Sequence, residues 1–299
     1  MSGTVRLELR GAGGERVGLV RTLLSHGVAE LLPNVVAEDG TWLEMALAGA
    51  DGRVHAVRLE ADGDGVARLT GIGDGDPAAV ADAVRRMLRL DEDLSAFYAR
   101  AEGDEALAWA AEEGAGRMLS SPTVFEDVVK TICTTNCTWS ATVRMVSALV
   151  SNLGAPAVGA AERHAFPTPA AMAEAPEELY RDVARCGYRG AYLRAIAADA
   201  ADGTLDLEAL IDPAIDDEEA AQRLLALPGV GPYACAHMMM LLGRYERLIL
   251  DSWTRPTYAR LAGRKSADRT IERRFKRYGR YAGLAFWLFL TRGWVPAAA

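Results

Sequence analysis

The stretch that most constrains this chain is a short, glycine-flanked turn in its carboxyl-terminal third. Residues 227–234 read LPGVGPYA, and an acid, Asp251, follows Gly231 after twenty residues. Glycines let a backbone approach an anion closely, and the helix predicted after the turn directs its positive dipole end to the same place. The pattern therefore predicts two helices joined by a tight hairpin that binds a phosphate beside a carboxylate.

Each part of this pattern also has a plain structural interpretation. A Gly-containing turn can simply join two packed helices. Asp251 precedes Ser252, Trp253 and Thr254 and can cap the helix that starts there by accepting backbone N–H bonds. Capping and a chemical role of Asp251 are compatible, because hydrogen bonds from backbone N–H groups favour the ionised form of its carboxylate.

Composition indicates a globular protein. The chain has 299 residues, half of them hydrophobic, which is enough for one large or two medium domains with a sizeable core. It has no run of eighteen apolar residues, and the start MSGTVR lacks the features of a signal peptide. We therefore expect no membrane association and a cytoplasmic location, close to the nucleoid if the source is bacterial.

The cysteines argue against a cluster or a disulfide framework. The four are Cys133, Cys137, Cys186 and Cys235, and the last 64 residues contain none. Their number and spacing predict free thiols, neither a metal site nor a carboxyl-terminal iron–sulfur cluster, and no required cofactor.

The net charge of −8 conceals a basic carboxyl-terminal segment. Residues 251–299 carry eleven Arg/Lys against three Asp/Glu, a net charge of +8, so residues 1–250 carry −16. Such a segment is either a solvated helix surface or a DNA-binding patch, since charge distribution matters more than its sum.

Hydrophobic periodicity predicts two parts. Residues 4–72 contain short alternating runs at 5–9, 42–47 and 54–59, which indicate an antiparallel sheet with one wet face. Asp76-Pro77 opens a helical pattern that continues almost to the end, with a Gly/Ala/Pro-rich connecting loop at 154–165. The fold class is therefore α+β, with a sheet domain at 1–76 packed on a mostly helical domain at 77–299.

The helix, the Pro-Gly-Val-Gly turn, the second helix and the downstream acid resemble the helix-hairpin-helix DNA glycosylase superfamily. The layout is closest to the 8-oxoguanine and 3-methyladenine glycosylases and covers roughly residues 80–295. Three further segments match in order: Ile132–Asn136, Gly187–Arg189 and Tyr281–Ala285. The resemblance implies a fold in which the amino-terminal sheet is the family's extra domain.

The resemblance also implies roles for individual residues. The hairpin of Gly229, Val230, Gly231 and Ala234 holds a phosphate of double-stranded DNA, with a structural monovalent cation possible at its carbonyls. Asn136 fills the gap left by a flipped base, while Tyr188 and Arg189 wedge beside its estranged partner. Without the family, Asn136 could end a helix, Tyr188 could be core and Arg189 a surface charge.

Asp251 is implied to be the catalytic residue, stabilising a cationic, oxocarbenium-like sugar and orienting water. Bifunctional members of the family place a lysine nucleophile just after the hairpin, where this chain has Tyr233. A phenol cannot form the Schiff base that an amine forms. The expected activity is therefore monofunctional base excision without strand cleavage. The protein is expected to be a monomer.

Departures from the 8-oxoguanine pattern change the expected substrate. Ala141 replaces an arginine, Trp253 a histidine and Phe286 a base-reading glutamine. An aromatic pocket can stack on an electron-poor alkylated purine, which makes that the favoured substrate. The predicted pocket residues are Tyr233, His237, Trp253, Phe286, Trp287 and Leu290. His237 is interpreted as a residue of the core or of the pocket wall. For the aromatic residues, packing in the core is the alternative to lining a pocket. An 8-oxoguanine-type glycosylase, a non-catalytic lesion-binding module and a helical protein with no DNA role are the competing interpretations.

Overall fold

The structure of the chain is a computed structural model that describes residues 3–49, 52–71 and 76–295. Its amino-terminal part forms a mostly antiparallel sheet, and the rest is mostly helical, so the predicted α+β class is confirmed. The strands are β1 Val5–Glu8, β2 Val35–Val36, β3 Trp42–Ala48, β4 Val54–Ala61, β5 Val66–Thr70, β6 Pro156–Ala157 and β7 Ala160–His164.

Helices make up most of the chain from Pro77 on, as predicted, and one short helix at Leu19–Leu23 lies in the part that was predicted to form a sheet. They are α1 Leu19–Leu23, α2 Pro77–Met87, α3 Ser95–Ala101, α4 Trp109–Glu112, α5 Val124–Thr134, α6 Trp139–Leu153, α7 Pro169–Glu174, α8 Arg189–Ala201, α9 Asp217–Leu225, α10 Pro232–Leu241, α11 Thr254–Leu261, α12 Asp268–Phe275 and α13 Ala282–Thr291. Short 3-10 turns lie at Gly27–Glu30, Glu208–Ile211, Lys276–Tyr281 and Arg292–Trp294, and a π turn at Leu179–Val183.

The main sheet has the strand order β1-β5-β4-β3-β2. Successive side chains along its strands point to opposite faces of the sheet, and one of these faces is buried. Leu43, Leu59 and Leu69 on this face are fully inaccessible to solvent. Helix α2 covers that face through Val80, Val84 and Met87, because apolar residues recur along it at helical spacing. The sheet and α2 therefore share one core.

A correction concerns residues 154–165, which were expected to be a loop. They contain β6 and β7, and β6 extends the sheet by pairing with β4 at Val54. These strands are too short and too rich in Gly, Ala and Pro to show a period-2 pattern. The predicted domain boundary at residues 76 and 77 follows directly on 72–75, which lie outside the described residues, and it stays a prediction.

The helical core brings the hairpin helices and the carboxyl-terminal helix together. Helix α10 packs on α5 and α9, and α13 packs on α11 and α12. Helix α13 is buried over most of its length because its sequence AGLAFWLFLT is apolar on every side. This packing sets the start of α10, the start of α11 and the end of α5 around one cavity.

Candidate DNA-binding and active site

The hairpin requires glycine at its tightest point. Gly229 has a φ of 85°, a left-handed conformation that side chains rarely adopt. A Cβ at this position would also lie 2.7 Å from Cδ2 of Tyr192. The turn is closed by the N–H of Val230, which donates to the carbonyl of Leu227 at 3.1 Å.

The hairpin leaves several backbone donors free. The N–H groups of Gly229, Gly231, Tyr233 and Ala234 have no acceptor within the described part of the chain. The first three residues of α10 cannot bond within their own helix, and Pro232 at its start has no N–H to satisfy. Free N–H groups at a helix start form a site for an anion such as a phosphate.

Val230 differs from the sequence-based expectation. Its N–H is used inside the turn and its side chain is buried in the helical core. Val230 therefore shapes the hairpin and does not offer a donor to a ligand. Ala234 is itself buried, so only its backbone N–H is relevant to binding.

Asp251 caps the turn that opens α11. Its Oδ1 accepts the N–H groups of Trp253 at 2.8 Å and Thr254 at 2.6 Å, while its own N–H donates to Thr254 Oγ1 at 2.8 Å. Its Oδ2 has no hydrogen-bond partner among the described residues. One carboxylate oxygen thus holds the backbone, and the other is available to a ligand.

A cavity of about 1150 Å³ joins these features. It is lined by the hairpin, by Asp251 and by the segment after α5, and it also reaches residues 26–28 of the amino-terminal part. Asp251 is the one carboxylate among its lining residues, and no Lys or Arg lines it in the part of the chain that the structure describes.

Asn136 and Tyr188 meet at this cavity. Asn136 follows α5 with a φ of 46°, and its Nδ2 donates to the hydroxyl of Tyr188 at 3.4 Å. Tyr188 is 54% exposed and contacts the ring of Tyr192 edge-on, with ring centroids 5.8 Å apart. The structure therefore brings these two predicted residues together.

Arg189 does not occupy the expected position. Its side chain is buried, its Nε donates to Thr135 Oγ1 at 3.3 Å and its Nη2 donates to the Thr135 carbonyl. The guanidinium also lies 4.6 Å from the centre of the Tyr188 ring. In this structure the Arg189 side chain braces the segment that carries Asn136, and its expected contact with DNA stays a prediction.

Aromatic side chains form one wall of the cavity. The rings of Trp253, Trp287 and Trp294 lie mutually 5.4–5.7 Å apart. Tyr233 faces the cavity from α10, with its hydroxyl 3.3 Å from Thr134 Oγ1. Burial raises the pKa of the Tyr233 phenol, and the nearby Asp251 carboxylate adds to the rise.

Two predicted pocket residues belong to the core instead. Phe286 is fully buried against Tyr258 and Phe275, with ring centroids 6.2 and 5.3 Å apart, and Leu290 is buried in the same core. Neither lines the cavity. Because α13 is apolar on every side, spacing alone cannot show that Trp287 is the residue that faces the cavity.

Several lining residues were not predicted from the sequence, among them Trp139, Trp294 and His26. Trp294 and Trp139 are exposed aromatic residues with no local motif around them, and His26 comes from the amino-terminal part. Trp139 lies against Gly27, where a Cβ would be 3.2 Å from its ring. These contacts depend on how distant segments pack, which no short-range pattern reveals.

Neither a metal cluster nor a membrane span is found. Within residues 3–49, 52–71 and 76–295, no three His, Cys, Asp or Glu side chains are grouped so as to hold a metal ion. Over the same residues, every helix is too short or too polar to traverse a lipid bilayer. All four cysteines are free thiols.

Neither the protein-family models nor the curated protein sequences give a match to this chain. Solved structures do share its fold. A 3-methyladenine DNA glycosylase from Archaeoglobus fulgidus matches with a TM-score of 0.75 at 22% identity, over 98% of this chain and 100% of the other.

Two further solved structures contain DNA. An 8-oxoguanine glycosylase/lyase from Clostridium acetobutylicum, in complex with double-stranded DNA containing cytosine opposite 8-oxoG, matches with a TM-score of 0.64 at 20% identity, over 83% of this chain and 87% of the other. A 3-methyladenine DNA glycosylase from Schizosaccharomyces pombe, in complex with abasic DNA, matches with a TM-score of 0.52 at 17% identity, over 65% of this chain and 94% of the other. The resemblance inferred from the sequence is thus confirmed at the level of the fold.

Proposed function

We propose that this chain is a DNA glycosylase of base excision repair that removes a damaged purine by hydrolysis. One observation carries the proposal: a single cavity joins the free hairpin amides, the unpartnered oxygen of Asp251 and the Asn136–Tyr188 pair. Its fold is that of solved 3-methyladenine and 8-oxoguanine glycosylases, which supports the same class of activity.

Each group has a defined task in this mechanism. The N–H groups of Gly229, Gly231, Tyr233 and Ala234 bind a backbone phosphate, which positions the duplex without reading its sequence. Asn136 and Tyr188 occupy the space vacated when the base leaves the helix, replacing part of the lost stacking. In this proposal no cofactor takes part, and a monovalent cation at the hairpin carbonyls would be structural.

Asp251 then assists bond cleavage. As the C1′–N bond lengthens, positive charge develops on the sugar, and the ionised Oδ2 of Asp251 stabilises it. Water adds to C1′ and releases one proton to the bulk solvent, while the bonding electrons leave with the base, which departs as a neutral molecule. The Oδ1 bonds to Trp253 and Thr254 keep the carboxylate in place during the reaction.

The cavity favours an alkylated purine and simple hydrolysis. A cationic base stacks well on electron-rich indoles, and the lining contains three mutually packed tryptophans and no Lys or Arg among the described residues. A base that already carries positive charge leaves without a general acid. Because none of the described lining residues is a lysine, a Schiff-base nucleophile is also disfavoured.

Base release tests this proposal directly. Duplexes carrying one alkylated, oxidised or deaminated base are incubated with the wild type and with Asp251→Asn, each with and without alkali. We expect release of an alkylated purine, strand breakage only after alkali, and a loss of about 100-fold or more in Asp251→Asn. Asparagine retains the Oδ1 acceptor, so this variant keeps the cap.

The other outcomes separate the competing functions. Release of 8-oxoguanine in place of alkylated purines would identify the 8-oxoguanine type, and an enzyme–DNA adduct trapped by borohydride would establish lyase chemistry. Tight lesion binding without release, unchanged in Asp251→Asn, would identify a recognition module. Weak binding that does not respond to salt would remove the DNA role altogether.

A further inference from the structure

Two buried histidines at the cavity wall have no task in the mechanism above. His26 comes from the amino-terminal part and His237 from α10, and they are 2% and 5% exposed. Both line the cavity, and their rings meet edge to face with centroids 5.6 Å apart. Residues so far apart in sequence are thus placed as one pair.

The protonation state of His26 is fixed by its neighbour. Its Nε2 lies 2.7 Å from the carbonyl of Leu119, which can only accept, so Nε2 carries the proton. Burial, helped by the nearby His237, lowers the pKa of His26 to about 3, so the ring is neutral at pH 7. A neutral ring with a proton on Nε2 has a lone pair on Nδ1.

The ring of His237 supplies a nitrogen that can donate a hydrogen bond to the lone pair of His26 Nδ1. His26 Nδ1 and His237 Nε2 are both buried and both without a hydrogen-bond partner among the described residues. The two atoms are therefore not hydrogen-bonded to each other in this structure. An unpaired buried nitrogen is costly, and a ring rotation that directs a proton on His237 Nε2 at His26 Nδ1 would satisfy both rings at once. Burial lowers the pKa of His237 to about 4, so this ring also carries one proton.

We propose that His26 and His237 act as one unit that reads the flipped base, with His237 Nδ1 as the hydrogen-bond acceptor. The Leu119 carbonyl orients His26. In the proposed arrangement His26 would in turn orient His237, which leaves the Nδ1 lone pair of His237 for a ligand in the cavity that this ring lines. The unit selects a base that presents an N–H donor, such as an amino-substituted purine. This inference rests on the proposed function, which supplies the flipped base.

The neutral pair suits the rest of the cavity. The ring of Tyr233 lies 6.2 Å from His237 on the same helix, and Asp251 is the one charged group among the described lining residues. A lone pair here attracts the amino hydrogens of a cationic alkylated adenine without adding positive charge to the site. A protonated histidine would repel the same base.

Nitrogen NMR on histidine-labelled protein tests the arrangement without any reaction. The chain has only four histidines, so the spectrum is simple, and His55 and His164 serve as internal controls because neither lines the cavity. We expect the proton on Nε2 of both His26 and His237. Titration with 9-methyladenine should shift His237 Nδ1, while 9-methylpurine, which has no N–H donor, should not.

Variants of His237 supply the second arm. His237→Asn keeps an acceptor near Nδ1, whereas His237→Met removes it and matches the neighbouring methionines. We expect 9-methyladenine to bind the wild type about 5–10-fold more tightly than 9-methylpurine, the ratio to persist in His237→Asn, and to fall to about one in His237→Met.

Opposite results overturn the proposal. A proton on His237 Nδ1, equal shifts with both bases, or an unchanged ratio in His237→Met would each exclude the acceptor role. Base release by the same wild-type preparation is measured in parallel. Release with an unchanged ratio refutes only the histidine unit, whereas a selective His237 response without release refutes only the glycosylase.

Discussion

At the scale of single residues, the hairpin depends on one glycine for two separate reasons. Gly229 adopts a positive φ, and its hydrogen faces the ring of Tyr192. Gly203 has a similar φ of 82° but open space around it. Replacing each of these two glycines by alanine therefore separates the effect of the strained backbone from the steric effect of the added methyl group.

We predict that Gly203→Ala loses about 1 kcal/mol of stability from the strained backbone, and that Gly229→Ala loses more because the added methyl group also meets Tyr192. Only Gly229→Ala should also lose affinity for an abasic duplex, by about tenfold or more, because Tyr192 and the hairpin must shift. Urea unfolding and fluorescence anisotropy measure the two effects. Equal binding by both variants would contradict the predicted role of the hairpin.

The exposed ring of Tyr188 gives a second prediction at this scale. Tyr188→Ala removes a surface side chain, so the free energy of unfolding should change by less than about 0.5 kcal/mol. Binding to a lesion duplex should weaken by about tenfold, since stacking on an aromatic ring contributes about 1–3 kcal/mol per base.

Tyr188→Phe is the matched control. It loses only the hydroxyl that accepts from Asn136 and keeps the ring, so its lesion binding should stay within about threefold of the wild type. Unchanged lesion binding in Tyr188→Ala would remove the wedge role.

At the scale of elements, α12 presents an unpaired cationic stripe. Arg269 and Arg273 on α12, and Lys276 just beyond it, are exposed and line a second groove of about 970 Å³. None of the three has a salt-bridge partner among the described residues. The same groove contains Pro232 and Tyr233, so the stripe continues from the hairpin.

We predict that replacing Arg269, Arg273 and Lys276 by glutamine weakens binding to all duplexes, damaged or not. The slope of log affinity against log salt should decrease by up to about 2.7, since each phosphate contact contributes about 0.9. Arg10→Gln, on the sheet side, is the control and should leave the slope unchanged. A slope unaffected by the triple change would assign this segment to solvated surface.

The elements also show which features a sequence reveals. The hairpin, the Asp251 cap and the Asn136 turn were predicted because each is built from neighbouring residues. His26 and Trp139 were missed because their place in the cavity comes from packing between distant segments. The wrong assignment of Phe286 has another cause: a helix that is apolar all round has no face that periodicity can single out.

At the scale of the whole molecule, the buried histidines link stability to pH. The folded-state pKa values of His26 and His237, about 3 and about 4, lie below the usual 6.5. The unfolded chain therefore binds protons first, so stability is full above pH 6.5 and falls as the pH drops toward 4. Asp127 acts in the opposite direction, because burial raises its pKa to about 7.

We predict that the wild type loses about 2 kcal/mol per buried histidine between pH 6.5 and 5, relative to variants that lack it. The difference in unfolding free energy between wild type and His237→Met, measured in urea at pH 7 and pH 5, isolates this contribution from that of Asp127. The same difference at both pH values would contradict the buried neutral state.

The strand pair β6–β7 has a consequence for synthesis on the ribosome. Strand β6 pairs with β4, and Arg163 of β7 forms a salt bridge with Glu44 of β3, so the sheet of the first seventy residues is completed by residues 156–164. The nascent sheet therefore emerges about ninety residues before its last strands. Until residues 156–164 emerge, one end of β4 has no neighbouring strand on one side. The amino-terminal sheet therefore stays incomplete during this part of translation.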